Sequence, residues 1–176
     1  KYNNFKRLLN IKHKITSTDV GFSLGPILNS ASRLGQSNLP FKLLIENNNS
    51  EIEKLSHNLI NLNEKIKIIQ NKKINIIRKE KINYMSGVIF NYKENINEGI
   101  LGIIASNFVD HYNKPSFVLT NSNNLIKCSS RSIKGYDIGN IFYMAIKKKI
   151  IINGGGHSMA GGCTLKKENL NKFKKF

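Results

Sequence analysis

Apolar residues recur at Ile52, Leu55, Leu59, Leu62, Ile66 and Ile69, at intervals of 3, 4, 3, 4 and 3. That spacing draws one apolar stripe along a helix. Ser50 followed by Glu53 predicts a capping box at its start. Glu51 and Glu53 near that start, and Arg78, Lys79 and Lys81 near the end, suit the helix dipole. A helix over 50–81 is a rod of roughly 46 Å. Its stripe fits a connecting helix packed along two lobes better than a coiled-coil seam, because it covers only about three heptads and Lys73 interrupts it.

Before it, Phe5, Leu8 and Leu9 predict a small amphipathic helix. Gly21 to Pro26 reads as a loop rich in turn formers. Pro40 suits the first turn of a short helix holding Phe41, Leu43, Leu44 and Ile45. After residue 83 the texture changes. Ser86–Asn91 reads as a strand, Glu98–Tyr112 as a helix and Ser116–Thr120 as a strand. Such a unit places its two strands parallel. Leu125–Ser130 predicts a third strand, and Asp137 an N-cap for a helix through Lys147. Ile150–Ile152 and Gly162–Leu165 read as short strands around a glycine-rich loop, with a last helix from about Glu168. The fold class is α/β: a small mixed β-sheet flanked by helices, preceded by a long connecting helix.

The 176 residues carry a formal net charge of +17. That balance favours a polyanionic partner, discounted because lysine, asparagine and isoleucine are heavily used throughout. Cys128 and Cys163 lack zinc-site spacing and read as reduced, cytosolic residues. No apolar run approaches the roughly 18 residues needed to span a bilayer. Lys1 in place of Met, and a helical run reaching Phe176, are expected of an internal piece of a longer protein.

Asp19, Asp110 and Asp137 are the only aspartates and fall in three separate elements. Two-metal hydrolysis needs clustered carboxylates, so no metal ligand is assigned and a self-contained catalytic site is not expected. Phosphate chemistry is better served. Ser129 and Arg131 project to one face of a strand, and a hydroxyl beside a forked cation can grip a phosphate. Arg33, in the segment from Asn29, is a second candidate of the same kind. A plain surface role remains open for each arginine. In Asn153–Gly162, five of ten residues are glycine and His157 stands among them. This run is either a tight turn or a place where a ligand lies against bare backbone.

Four segments in order resemble the RecJ family of single-strand-specific 5′→3′ DNA exonucleases, in the DHH phosphoesterase superfamily. They are Gly21–Leu34, Glu98–Ser106, Ser129–Ser132 and Gly155–Gly162. Ser30, Ser32 and Gly161 depart from the family's usual small residues by other small ones, and Gly154 stands where a bulkier one is usual. The resemblance implies that 1–48 ends the catalytic lobe, 49–82 is the connecting helix and 83–176 is the DHH-associated, substrate-binding domain. It implies that Arg33, Ser129 and Arg131 hold a 5′ phosphate, that Asn29, Gly155 and Gly156 also bind substrate, and that His157 faces the scissile region. Mg²⁺ or Mn²⁺ is implied as cofactor, with ligands outside this chain. Also implied are a cytoplasmic monomer acting on single-stranded DNA in repair and recombination, with a single-strand-binding protein and a helicase as candidate partners. The competing readings are a phosphodiesterase for short oligonucleotides or cyclic dinucleotides, and a non-catalytic nucleic-acid-binding module.

Overall fold

The computed structural model describes residues 2–78 and 87–176. The expected helix-end lysines Lys79 and Lys81, and Ser86 of the first strand, lie outside the described residues. The chain divides into two compact units, Lys1–Lys72 and Lys73–Phe176.

The first unit is helical. It contains α1 (Tyr2–Leu9), a π-helical turn (Asp19–Leu24), α2 (Gly25–Arg33), α3 (Leu39–Ile45) and most of α4 (Asn49–Arg78). Leu8, Leu24, Ala31, Leu43, Ile52, Leu59 and Leu62 form its core. Along α4, Ile52, Leu59, Leu62 and Ile66 are buried and Leu55 and Ile69 are half-buried, as the 3–4 spacing requires. Asn4 Nδ2 donates to Leu43 O at 2.8 Å and Glu46 O at 3.0 Å, closing the carbonyl end of α3 against α1.

Two local expectations fail here. Gly21–Pro26 is not a loop: the π turn leads directly into α2, with the Gly25 N–H donating to Val20 O. Pro26 sits in the first turn of α2, where a missing N–H costs nothing, and burial of Leu24 holds the segment helical. Ser50 does not cap α4 either. Asn48 does, its Oδ1 accepting from Ser50 N at 2.9 Å and Glu51 N at 3.3 Å. Asn is as good an N-cap as Ser, and it comes first in the chain.

The second unit is a five-stranded mixed sheet in the order β1-β2-β3-β5-β4. The elements are β1 (Ile89–Tyr92), α5 (Leu101–Tyr112), β2 (Ser116–Ser122), β3 (Leu125–Arg131), α6 (Ile138–Lys147), β4 (Asn153–His157), β5 (Ala160–Lys166) and α7 (Leu170–Lys175). β1 and β2 are parallel, joined through α5; the other three pairings are antiparallel. β1 starts later than the apolar run suggested, where the Ile89 N–H finds Pro115 O at 2.8 Å. Helix α5 packs on β2 and β3, and Ser116 Oγ donates to Ala105 O at 2.7 Å. The opposite face carries the core of Phe117, Leu119, Ile126, Cys128, Cys163 and Leu165, with Phe142 of α6 and Phe173 of α7. Asp137 caps α6 as expected, its side chain accepting from Asn140 N at 3.0 Å.

The glycine run is where the fold departs most from expectation. Ile150–Ile152 is not a strand. Ile150 and Ile151 are buried, but in the turn that ends α6, where Lys149 takes the left-handed conformation at φ 55° and Ile150 N–H reaches back to Ala145 O. Asn153–His157 is itself a strand, and a two-residue turn of Ser158 and Met159 joins it to β5. Glycine disfavours strands by propensity, but strand preference yields to context. The context here is a facing strand with glycines of its own.

Candidate nucleic-acid interface

Strand β3 alternates. Ile126, Cys128 and Ser130 are buried, while Lys127, Ser129 and Arg131 are half-buried on the α5 side. Ser129 and Arg131 therefore share a face, as the sequence predicts. Their heads converge on the first turn of α5. A Cβ built on Gly102 would lie 3.0 Å from Arg131 Nη2 and 3.2 Å from Ser129 Oγ. Arg131 Nη1 donates to Ser130 O at 2.8 Å, which orients the guanidinium and leaves its other donors free of any carboxylate among the described residues. An oriented cation beside a hydroxyl with no hydrogen-bond partner among the described residues suits an incoming oxyanion.

The sheet register extends this corner sideways. Arg131 lies opposite Ala160, and Ala160 opposite His157; Ser129 lies opposite Gly162, and Gly162 opposite Gly155. Residues directly opposite share a face. So the row beside Ser129 is bare backbone, and the row beside Arg131 ends on His157, two strand spacings or roughly 10 Å away. A Cβ on Gly155 would meet nothing within 4 Å. This is an open floor, not a packed turn.

Gly156 and Gly161 have a different duty. They face each other and α6. At Gly156, with φ 155°, a Cβ would collide with the carbonyl of Ala160 and with Gly161; at Gly161 it would strike Phe142 and Ile138 at 2.8 and 2.9 Å. Their missing side chains let α6 and the hairpin close on each other. The hairpin tip is held at both carbonyls: Ser132 N–H donates to Met159 O at 2.9 Å and Ile138 N–H to Ser158 O at 3.1 Å. These bonds fix exposed His157 relative to Arg131. His157 Nδ1 accepts from Met159 N at 3.3 Å, so the neutral ring carries its proton on Nε2.

Asn29 and Arg33 sit one turn apart on α2, Asn29 exposed and Arg33 half-buried, while Ser30 and Ala31 between them are buried in the helical unit. The structure thus groups Ser129, Arg131, Gly155, Gly156 and His157 in one unit and Asn29 with Arg33 in the other. Gly102 was not singled out from sequence. A glycine inside an apolar helical run is the signal that marks it.

Among the described residues no three His, Cys, Asp or Glu side chains gather as a metal site requires. Asp19 is tied to Thr16 N and Oγ1 at 2.9 and 2.7 Å, and these bonds, with His13 nearby, hold its carboxyl below the usual range. Asp137 is spent on the α6 cap. The described residues do not fit a Mg²⁺ or Mn²⁺ centre. No helix among the described residues is long and apolar enough to cross a membrane.

The DHHA1 domain model matches residues 83–176. The chain is 31% identical over 170 residues to the single-stranded-DNA-specific exonuclease RecJ of Haemophilus influenzae, covering 91% of this chain and 29% of that protein. It is 32% identical over 156 residues to RecJ of Bacillus subtilis, covering 86% of this chain and 20% of the relative. It therefore spans less than a third of the relatives it matches. The crystal structure of Thermus thermophilus RecJ in complex with Mn²⁺ superposes with a TM-score of 0.85 at 22% identity, over 98% of this chain and 26% of that one. The fold is that of the corresponding part of RecJ, and the chain belongs to the DHHA1 domain family.

Proposed function

We propose that this chain is the substrate-gripping part of a metal-dependent 5′→3′ exonuclease that hydrolyses single-stranded DNA. The observation that carries the reading is the convergence of Ser129 Oγ and Arg131 on the α5 turn, beside a floor of bare backbone at Gly155 and Gly162. Ser129 and Arg131 bind the 5′ phosphate. Arg33 and Asn29, on their own unit, are a second cation and an amide suited to a nucleic-acid backbone. Gly155 lets the sugar-phosphate backbone lie against the sheet, and Gly156 keeps the hairpin in shape. His157 presents Nε2 toward the scissile region. Divalent metal, Mg²⁺ or Mn²⁺, would be held by residues outside this chain. RecJ relatives favour this reading over an oligonucleotide or cyclic-dinucleotide phosphodiesterase and over a non-catalytic binding module.

The same reading takes the 1–48, 49–82 and 83–176 segments as lobe end, connecting helix and substrate domain. It places a monomeric protein in the cytoplasm, in DNA repair and recombination, with a single-strand-binding protein and a helicase as partners. The test is turnover of single-stranded DNA by the full-length protein with Mg²⁺ or Mn²⁺. Arg131→Ala is expected to raise KM for 5′-phosphorylated ends about tenfold or more, since a charged hydrogen bond contributes about 1.5–3 kcal/mol. Equal KM for 5′-phosphate and 5′-hydroxyl ends, in wild type and variant alike, contradicts the phosphate assignment.

A further inference from the structure

We infer that Gly102 is a positioning residue for 5′-phosphate recognition: only a first turn of α5 without a side chain leaves Ser129 and Arg131 room to reach one phosphate together. The inference rests on the phosphate reading above and deepens it.

Glycine weakens a helix relative to alanine, so its place in α5 needs a reason. Backbone conformation does not give one, because Gly102 is absent from the positive-φ glycines Gly35, Gly135 and Gly156. Space does. A methyl at this position would stand 3.0 Å from Arg131 Nη2, 3.2 Å from Ser129 Oγ and 3.6 Å from Arg131 Cζ. Those distances are too short for an undisturbed contact, so something must move. The helix is pinned: Leu101, Ile104 and Ala105 are buried beneath it, and the Ala105 carbonyl accepts from Ser116 Oγ of β2 at 2.7 Å. The strand holds the Ser129 backbone, so the side-chain ends are left to yield, and the guanidinium, the nearer of the two, does so against its bond to Ser130 O. A site that depends on preorganised donors loses much of its grip from a small displacement of one of them.

The test compares Gly102→Ala with wild type in the full-length protein, on 5′-phosphorylated and 5′-hydroxyl single strands. KM for phosphorylated ends is expected to rise about tenfold, with kcat, activity on hydroxyl ends and melting temperature retained. Added to Arg131→Ala, the substitution is expected to cost nothing further, because the group it displaces is already gone. The inference is overturned by an unchanged KM where Arg131→Ala does raise it, by equal losses on both kinds of end, or by additive effects of the two substitutions. A lower melting temperature in both backgrounds marks a packing role and also overturns it. If Arg131→Ala itself fails to distinguish the two ends, the phosphate reading falls, and this inference with it.

Discussion

Gly155 and Gly156 are neighbours with opposite burdens. At Gly156 an added methyl meets backbone in a conformation that L residues rarely adopt. At Gly155 it meets open space. Gly156→Ala is therefore expected to lower the unfolding free energy by about 1–3 kcal/mol, measured by urea denaturation. Gly155→Ala is expected to leave stability within about 0.5 kcal/mol while weakening single-strand binding by roughening the floor. The reverse pattern would mean that the hairpin faces have been assigned the wrong way round. At this scale sequence could mark the run as unusual but could not divide its labour. Which glycine faces the core depends on pairing with Gly161 and Gly162, and that pairing is set by residues on two strands.

Elements were legible where a period or a cap spoke for them. The α4 stripe, the Asp137 cap and the β1–α5–β2 unit each rest on a local signal that tertiary packing reinforces. Misreadings arose where composition argued against the structure adopted: turn formers in a helix at Gly21–Pro26, and glycines in a strand at Asn153–His157. The β3 alternation placed Ser129 and Arg131 together from sequence alone, yet their convergence on α5 involves a residue 27 positions before Ser129. The α6 cap bears on the site as well as the helix. Asp137→Ala removes the acceptor for Asn140 N at the end of α6 that holds Ser158 O. It is expected to cost about 0.5–2 kcal/mol in thermal unfolding. A loss below that range would show that the hairpin, not the cap, holds the start of the helix.

For the whole molecule, charge decides more than any single contact. A net +17 predicts single-strand binding that weakens steeply with salt. In a plot of log affinity against log salt, Arg131→Ala should flatten the slope by about 0.7, the contribution of one phosphate on a single strand. A parallel line for the variant would remove Arg131 from the phosphate contacts.

The clamp on the hairpin tip has a consequence for how the sheet finds its alignment. Side chains normally oppose a one-residue slip between strands, because slippage turns every one of them to the wrong face. Across Gly154–Gly156 and Gly161–Gly162 there are almost none to object. The correct alignment of β4 must then be imposed from its ends, by Met159 O and Ser158 O on one side and by Ile152 N–H bonded to Thr164 O at 2.8 Å on the other. A strand with so few side chains has given up its own ruler, and the surrounding loops read the scale for it.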